Sequence, residues 1–360
     1  MSVSSPLTSA GASAVERAGR WFLESGIQQA SGGVARYYLA DCQTPKPVST
    51  EITGYAASIF VWLFRLTRDE NYLDAARQAA RFLVEDAWDE TLETFAFELP
   101  PRFTYFFDCG IIVRGLAAVW RETRESRLIE VAGAASHAMI RDFQAGRCYH
   151  PILTLPDKRP LAREPRWSKE PGCYQLKSAL AWHELAGITN DVALEAAFEA
   201  ALSNALASHG DFLPGAPERH AVMDRLHAYC YFLEALVAFL DREECAAVFR
   251  EGIDRVSMLL RDIAPDFARS DVYAQLLRVR LRGMKAVPLD REAAAHEAHE
   301  LAAFQLSSHD PRIDGGWTFG RRHGKLSPHV NPVSTAFAIE ALALWRRFEA
   351  GDAIPCEIPI

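Results

Sequence analysis

The pattern that most constrains this chain is a repeated pair of predicted helices. Six strongly apolar helical segments follow one another at steps of 47 to 64 residues. They begin at Glu51, Asp108, Gly172, Asp224, Asp271 and Asn331. A step of this size accommodates two helices and two connections, and a recurrent period indicates a repeat architecture.

Each of the first five apolar helices is followed by an amphipathic, alanine-rich helix. These partners begin at Asn71, Arg127, Ala193, Cys245 and Arg291, and one spare amphipathic helix begins at Ala14. If the spare N-terminal helix pairs with the last apolar helix, six hairpins close on themselves. The sequence therefore predicts an all-α fold, a closed (α/α)6 toroid with apolar inner and amphipathic outer helices. The alternative is an open solenoid of helix pairs.

Composition and charge limit the classes of protein to be considered. No linker-like segment interrupts the repeat, so residues 1–360 are predicted to form one domain. A net charge of −8 disfavours a nucleic-acid partner. The N-terminus lacks a secretory pattern, and the seven cysteines include no CxxC pair, which predicts a cytoplasmic protein with reduced thiols. No run is apolar for long enough to predict a transmembrane segment, and nothing indicates the oligomeric state.

The sequence predicts no metal site and no cofactor. Cysteine and histidine show no spacing typical of zinc ligands, and dinucleotide and phosphate-loop motifs are missing. The segment His296–Glu300 (HEAHE) departs from the HExxH zinc motif and is expected at the surface of an outer helix. The basic clusters Arg278–Arg282 and Arg321–Lys325 are interpreted as solvated charge rather than as a polyanion site.

Chemistry is expected where the inner helices begin. Helix N-termini carry partial positive charge and unpaired N–H groups, so the six starts are expected to line one cavity that favours carboxylates and anions. Glu51 opens the first inner helix with Tyr55 one turn later, and Asp108 opens the second directly after Phe107 in an aromatic run. Aromatic rings stack on sugars and desolvate a carboxyl, as a general acid requires. The alternatives are structural: Glu51 would suit the dipole of a first turn capped by Ser49 or Thr50, and Asp108 would be an N-cap beside aromatic core packing.

Other inner-helix starts carry further candidates. These are Tyr174, Lys177, Asp224, Arg225, His227, Trp317 and Asn331. Asp224 and His227 are i, i+3 neighbours, so the carboxylate could tune the imidazole for proton transfer. Trp317 follows two glycines that could present it as a stacking platform. Ordinary structural roles are the alternatives, namely a solvated lysine, a cap with a core histidine, and a tryptophan core anchor.

The hairpin pattern and two motifs resemble known carbohydrate-active proteins. The architecture is similar to the (α/α)6-barrel superfamily often called six-hairpin glycosidases. Ser49–Tyr55 (STEITGY) and Phe107–Gly110 (FDCG) resemble the STExTGY and FDxG motifs of uncharacterised proteins from bacterial exopolysaccharide gene clusters. The resemblance implies an enzyme acting on a saccharide or uronic-acid-containing glycoconjugate, in polysaccharide biosynthesis. It does not choose among hydrolase, epimerase and lyase, because fold does not fix the reaction.

Each reaction would use different side chains. In hydrolysis, Glu51 and Asp108 would be the acid/base pair, separated by roughly 6.5–9.5 Å for inversion or about 5–5.5 Å for retention. In epimerisation or elimination, Tyr55, Tyr174 or His227 would move the proton, and Arg225 or Lys177 would neutralise the substrate carboxylate.

Two other classes of protein remain as alternatives. The first is a non-catalytic sugar-binding or scaffold protein. The second is an isoprenoid-binding protein, since Gln305 and Gly315–Phe319 are similar to a repeat of terpene cyclases and prenyltransferases, although the acidic motifs DxDD and DDxxD are missing. An insert at Gly146–Pro171 is expected to meet an anionic sugar through its arginines. These are Arg147, Arg159, Arg163 and Arg166.

Overall fold

The computed structural model describes residues 6–41, 44–162, 164, 166–355 and 359–360, and their side chains from residue 14 onward. Arg163 of the insert lies outside the described residues. Twelve α-helices occupy the described part of the chain. They are α1 (Pro6–Glu24), α2 (Thr50–Thr67), α3 (Glu70–Phe82), α4 (Phe106–Thr123), α5 (Ser126–Phe143), α6 (Leu176–Thr189), α7 (Val192–Ser208), α8 (Arg219–Leu236), α9 (Glu243–Ile263), α10 (Ser270–Arg282), α11 (Arg291–Ala302) and α12 (Pro332–Ala350).

Short strands and single helical turns connect these helices. The strands are β1 (Tyr38–Leu39), β2 (Thr44–Pro45), β3 (Trp88–Asp89), β4 (Thr94–Phe95), β5 (Phe103–Tyr105), β6 (Gln144–Ala145), β7 (Cys148–Tyr149), β8 (Ile152–Thr154), β9 (Arg159–Pro160), β10 (Phe267–Arg269), β11 (Gly320–Arg322), β12 (Lys325–Leu326) and β13 (His329–Val330). They pair antiparallel in the orders β13-β1-β2, β10-β11-β12, β3-β4, β5-β8-β9 and β6-β7. One π-turn (Leu83–Ala87) and five 3₁₀ turns (Trp167–Lys169, Cys173–Gln175, His209–Asp211, Val237–Phe239 and Gly283–Lys285) complete the connections.

The predicted alternation of helices is confirmed. The six apolar segments correspond to α2, α4, α6, α8, α10 and α12, and the amphipathic segments correspond to α1, α3, α5, α7, α9 and α11. Three starts differ from the prediction by four residues or more: α1 begins at Pro6 rather than at Ala14, α6 at Leu176 rather than at Gly172, and α8 at Arg219 rather than at Asp224. Asp224 and His227 therefore lie in the second and third turns of α8, beyond the free N–H groups of its first turn.

The chain divides into two compact units. The first, called here the α2–α7 unit, comprises residues 28–36, 47–213 and 359–360; the second, the α8–α1 unit, comprises residues 1–27, 37–46 and 214–358. Each contains three hairpins. In the α2–α7 unit, α2, α4 and α6 are the adjacent inner helices; in the α8–α1 unit they are α8, α10 and α12. The single domain of 1–360 stays a prediction.

The predicted pairing of the first and last helices is confirmed within the α8–α1 unit, where α1 packs against α12. Side chains of α1 are also tied to the turn that precedes α12. Trp21 Nε1 donates to the main-chain oxygen of Arg312 at 2.8 Å, and Arg17 pairs with Asp314 at 2.8 Å. These long-range bonds help to hold α1 as the outer helix that pairs with α12.

Local capping explains where several helices begin. Side chains of Ser49, Asp69, Asp191, Asp290 and Asn331 accept hydrogen bonds from main-chain N–H groups in the first turns of α2, α3, α7, α11 and α12. Each such cap is worth about 1 kcal/mol. These caps fix the first turns of α2 and α12 and hence the direction of the polar side chains at those helix starts.

The expectation of solvated charge is wrong for the Arg278–Arg282 cluster, whereas residues 322–325 of the other basic cluster are exposed. Arg278, Arg280 and Arg282 are at most 9% exposed, because α10 is an inner helix that is buried on every side. Arg278 pairs with Glu234 and Glu340 at 3.3 and 3.1 Å, and Arg282 also pairs with Glu340. Buried charges of this kind require such partners.

The HEAHE segment was also expected at the surface, and Glu297 within it is 4% exposed. Its carboxylate accepts from Arg280 Nε at 2.8 Å. Glu297 and Ala298 are both buried on the inner side of α11, while His296 and His299 are exposed.

Candidate functional site

Two carboxyl groups lie at the starts of neighbouring inner helices. Glu51 is in the first turn of α2, where Ser49 Oγ caps the helix, and Asp108 is in the first turn of α4, directly after β5. Because α2 and α4 pack side by side in the α2–α7 unit, their N-terminal turns bring both carboxyls into one electrostatic environment.

The glycines of the two motifs explain how closely these helices pack. A Cβ on Gly110 would lie 2.5 Å from the Cβ and main-chain oxygen of Ser178 on α6. A Cβ on Gly54 would lie 2.9 Å from the Cα of Ile112, and one on Gly115 would lie 2.5 Å from the main-chain oxygen of Gly54. Only glycine permits such backbone approach. Gly54 therefore permits the close approach of α2 and α4, which carry Glu51 and Asp108, and Gly110 permits that of α4 and α6.

Burial and mutual repulsion perturb both carboxyls. Burial raises the pKa of Asp108 well above its usual range, and the neighbouring Glu51 raises it further, while the Arg36 guanidinium opposes both effects. Burial raises the pKa of Glu51 to about 7, again against Arg36. Two carboxyls in such an environment cannot both ionise easily. The pair therefore favours a state that shares one proton, and the shift is larger for Asp108 than for Glu51.

Asp108 has an oxygen that the protein leaves unused. The side chain is 4% exposed, and Oδ2 has no hydrogen-bond partner among the described residues. An unpaired buried polar atom costs about 1–3 kcal/mol, so such atoms are rare without a functional reason. The arrangement is that of an acid held ready to donate to a bound molecule.

Arg36 is a site residue that the sequence did not reveal. Its NH2 donates to Glu98 Oε2 at 3.2 Å, and its guanidinium carbon lies 4.6 Å from the centre of the Phe97 ring. The Phe97 ring in turn packs on Tyr105 at 4.7 Å. Arg36 lies in an irregular connection before α2, where no periodic pattern marks it.

The insert at 146–171 pairs with the strand that leads into α4. Residues Phe103, Thr104 and Tyr105 of β5 lie opposite Thr154, Leu153 and Ile152 of β8. Burial and the charge of Asp108 raise the pKa of the Tyr105 hydroxyl, while Arg166 and Arg36 lower it. Arg166 of the insert is exposed and electrostatically close to Tyr105.

The aromatic candidates of this unit pack on one another. The Phe107 and Tyr174 rings are 6.1 Å apart, and Tyr174 meets Trp167 edge to face at 5.2 Å. Tyr174 and Tyr55 are each 2% exposed. The Tyr174 hydroxyl donates to the main-chain oxygen of Glu170 at 3.0 Å. Of these rings, Phe107 and Trp167 retain partial exposure.

Lys177 is fully buried, which differs from the solvated alternative considered for it. Its ammonium donates to the main-chain oxygen of Ile360 at 2.6 Å. That bond holds Ile360 against α6. The positive charge of Lys177 therefore has a partner inside the protein.

A second polar cluster lies in the α8–α1 unit around His227. Burial lowers the pKa of His227 to about 4, although Asp271 opposes this. The ring is therefore neutral near pH 7, with Nδ1 2.8 Å from Gln275 Oε1 and 3.4 Å from Asp271 Oδ2. If Nδ1–H donates to Gln275, the basic lone pair is on Nε2.

Asp224 was expected to be the carboxylate beside this imidazole; it raises the pKa of His227 electrostatically, but the carboxylate close to the ring is that of Asp271. Asp224 instead accepts from Arg269 NH1 at 2.7 Å, and Arg269 also pairs with Asp271 at 2.6 Å. Burial alone would raise the pKa of Asp271, but Arg269 and His227 hold it below its usual value. Because α8 begins upstream of Asp224, the first-turn carboxylate beside His227 comes from α10.

The structure also shows the surroundings of the remaining candidates, which are Trp317, Asn331 and Arg225. Trp317 is fully buried and its Nε1 donates to the main-chain oxygen of Leu301 at 2.8 Å, so neither ring face is open for stacking. Asn331 Oδ1 accepts from the N–H groups of Val333 and Ser334 and caps α12. Arg225, next to Asp224 on α8, is partly exposed.

Metal-ligand groups and membrane-spanning helices were sought among the described residues. No group of three or more histidine, cysteine, aspartate or glutamate side chains there is placed to hold a metal ion. Likewise, none of the described helices combines the length and apolar character needed to cross a membrane.

Comparison with known proteins gives structural matches only. No protein-family model and no curated protein matches the sequence. A sugar epimerase from a ruminal bacterium is similar with a TM-score of 0.73 and 11% identity, over 96% of this chain and 100% of that one. Cellobiose 2-epimerase from Spirochaeta thermophila is similar with a TM-score of 0.72 and 14% identity, over 94% and 96% of the two chains.

An unsaturated glucuronyl hydrolase from a Bacillus species is similar with a TM-score of 0.63 and 13% identity, over 95% of this chain and 97% of that one. Identities this low show the fold alone. The structural neighbours are six-hairpin (α/α)6 enzymes, and the predicted fold class, an all-α (α/α)6 toroid, is confirmed.

Proposed function

We propose that this protein is a carbohydrate-active enzyme that hydrolyses a glycosidic bond with Asp108 as general acid and Glu51 as the second carboxyl. One observation carries the proposal. Two carboxyls at adjacent helix starts have raised pKa values, and the more strongly perturbed one, Asp108, has a buried oxygen without a partner. A pair of carboxyls in different protonation states is what glycoside hydrolysis requires.

The pKa shifts support different roles for the two carboxyls. Asp108, whose pKa is raised the more strongly, would hold the proton and give it to the glycosidic oxygen as the bond to the anomeric carbon breaks. Glu51, with a pKa of about 7, ionises more readily and would take a proton from the attacking water, or attack the anomeric carbon itself. In either route, water supplies a hydroxyl to the anomeric carbon and a proton that restores the pair.

The surroundings support a saccharide as substrate, in particular one with a carboxylate. Phe97, Tyr105 and Phe107 place aromatic rings near the carboxyl pair, and such rings stack on the apolar faces of sugars. Arg36 and Arg166 bring guanidinium groups to the same environment, and guanidinium binds carboxylates in bidentate fashion. The structural neighbours named for sugar epimerisation and for glucuronyl hydrolysis agree with this class of substrate.

A second candidate function is proton transfer at a sugar carbon, as in epimerisation. The neutral, buried His227, oriented by Gln275 and flanked by the ionised Asp271, favours it. An imidazole in that state can accept a proton without first losing one. A place in cytoplasmic polysaccharide biosynthesis rests only on the resemblance of Ser49–Tyr55 and Phe107–Gly110 to the exopolysaccharide-cluster motifs.

The deciding experiment incubates the protein with neutral and uronic-acid oligosaccharides in deuterated water and follows them by NMR. Asp108→Asn, Glu51→Gln and His227→Gln are compared with Glu130→Gln, which changes an exposed carboxylate on α5. New reducing ends that disappear in the Asp108 and Glu51 variants support hydrolysis. Deuterium at a sugar carbon that disappears only in His227→Gln supports epimerisation. Sugar binding without chemical change would indicate that the protein binds sugars and does not catalyse a reaction on them.

A further inference from the structure

A cavity of about 300 Å³ lies within the α8–α1 unit, between α9, α10, α11 and β11. This volume is at the lower end of the range for small-molecule sites. Leu260, Leu276 and Pro265 form an apolar part of its lining, and charged side chains form the rest. Neither the Glu51–Asp108 pair nor the His227 cluster contributes to the lining, so binding in this cavity would not depend on the proposed function.

The cavity is lined in part by a buried ion pair. Glu297 and Arg280 are 4% and 9% exposed, and Arg280 Nε lies 2.8 and 3.1 Å from the two oxygens of Glu297. Arg280 NH2 also donates to Ser257 Oγ at 2.5 Å. Replacing a buried ion pair with apolar residues of similar size is often neutral or stabilising, so stability alone does not account for these charges.

The walls add further charge. Arg321 pairs with Glu300 at 2.6 Å, and Arg261 lines the cavity from an exposed position on α9. The lining thus holds three guanidinium groups against two carboxylates. Burial and the neighbouring Glu300 raise the pKa of Tyr273 to about 12, so its hydroxyl remains protonated across the physiological range.

We propose that this cavity binds a small organic anion, with its charged group at Arg280 and Arg321 and a short alkyl part against Leu260 and Leu276. As the anion enters, Glu297 takes up a proton, because its negative charge would otherwise repel the ligand. The groups that bear on this protonation are Arg280 and Tyr273 of α10, Arg261 of α9, His296 and Glu300 of α11, Asp290 before α11, and Arg321 of β11.

The protonation is accessible near neutral pH. Burial raises the pKa of Glu297 to about 7, although Arg280 opposes the effect. An added negative charge nearby raises this pKa further, so binding is coupled to proton uptake. Affinity for the anion should therefore fall as the pH rises from 7 to 9.

Titration calorimetry with the full chain tests the ligand class, using hexanoate, 1-hexanol and inorganic phosphate at pH 7.5. Hexanoate is expected to bind about 10-fold or more tightly than either of the others, because only it combines the charged contact with apolar burial. The enthalpy should also differ between buffers of different ionisation enthalpy, by up to one proton per site. Equal affinity for 1-hexanol, or tighter binding of phosphate, would overturn the proposal, as would a lack of heat with hexanoate.

Three variants test the residues. Arg321→Gln should weaken hexanoate binding by roughly 10-fold. Arg322→Gln is the matched control, because Arg322 is the next residue of the strand, does not line the cavity, and stacks on Phe267 at 4.5 Å. Glu297→Gln should retain binding and lose the buffer-dependent proton uptake. Equal weakening by Arg321→Gln and Arg322→Gln, in proteins with wild-type circular dichroism, would place the anion elsewhere.

Discussion

Replacement of Glu51 by glutamine should make the protein more stable in mildly alkaline solution while it removes the proposed activity. Burial raises the pKa of Glu51 in the folded state from 4.5 to about 7. The folded state therefore binds more protons than the unfolded state between these two values, and the free energy of unfolding falls as the pH rises through that window. Glutamine has the same shape and cannot ionise, so the loss should not occur in the variant.

The size of the effect follows from the pKa values. One pKa unit corresponds to about 1.4 kcal/mol, so movement from 4.5 to about 7 corresponds to roughly 3 kcal/mol at pH 8. Glu51 is only half-buried, and water screens part of this, so we expect roughly 1–3 kcal/mol. With an unfolding entropy of about 2.1 cal/mol/K per residue over 360 residues, the melting temperature should rise by roughly 1–4 °C.

Thermal melts of wild type and Glu51→Gln at pH 8 and pH 4.5 make the comparison. The rise should be present at pH 8 and absent at pH 4.5, where the wild-type carboxyl is also protonated. Glu130→Gln, which changes an exposed residue of α5, should show no rise at either pH. A Glu51→Gln protein that melts at or below the wild-type temperature at pH 8 would refute the reasoning, because it would show that the ionised carboxylate is not penalised.

Two further predictions concern the same site. Arg36→Gln should shift the acidic limb of the kcat/KM profile to higher pH, because Arg36 lowers the pKa of Glu51. The control is Arg159→Gln, which changes a side chain that is 80% exposed and should leave the acidic limb unchanged. An unmoved limb in Arg36→Gln would exclude Glu51 as the group it reports. Gly110→Ala should lower the free energy of unfolding, measured by urea denaturation, by about 1–3 kcal/mol. Gly133→Ala, whose added Cβ meets nothing within 4 Å, should raise that free energy by about 0.5–1 kcal/mol. Equal effects would mean that α4 does not need Gly110 for close packing.

The sequence predicted the helical architecture well because its determinants are periodic and local. Apolar residues repeat at helical spacing through each inner helix, and caps such as Ser49 and Asn331 lie where the helices begin. Among the inner helices α8 departs most from the prediction, because it starts at Arg219 and no side chain caps its first turn. Boundaries of this kind depend on packing that a single sequence does not display.

The partners of the site residues were harder to predict because they come from distant parts of the chain. Arg36 reaches Glu98 across 62 positions, and Asp271 rather than the neighbouring Asp224 meets His227. Glu297 was interpreted as a surface residue because its helix is amphipathic, yet it faces Arg280 on the inner helix. Charged residues on the buried side of a helix find their partners through tertiary structure, and helical periodicity alone does not identify them.

The close packing at Gly54 and Gly110 and the perturbed carboxyls are connected physically. Helices that approach this closely leave little room for water at their starts, and loss of water is the largest cause of the raised pKa values of Glu51 and Asp108. The positive ends of α2 and α4 partly offset the charge, which limits the cost of keeping two carboxyls there. If Gly110→Ala pushes the helices apart and admits water, the pKa of Asp108 should fall toward its usual range. The variant should then lose its proposed acid at a lower pH than wild type, and the alkaline limb of kcat/KM should move to lower pH. A wild-type alkaline limb in a folded Gly110→Ala protein would show that the spacing of the helices does not set the acidity of Asp108.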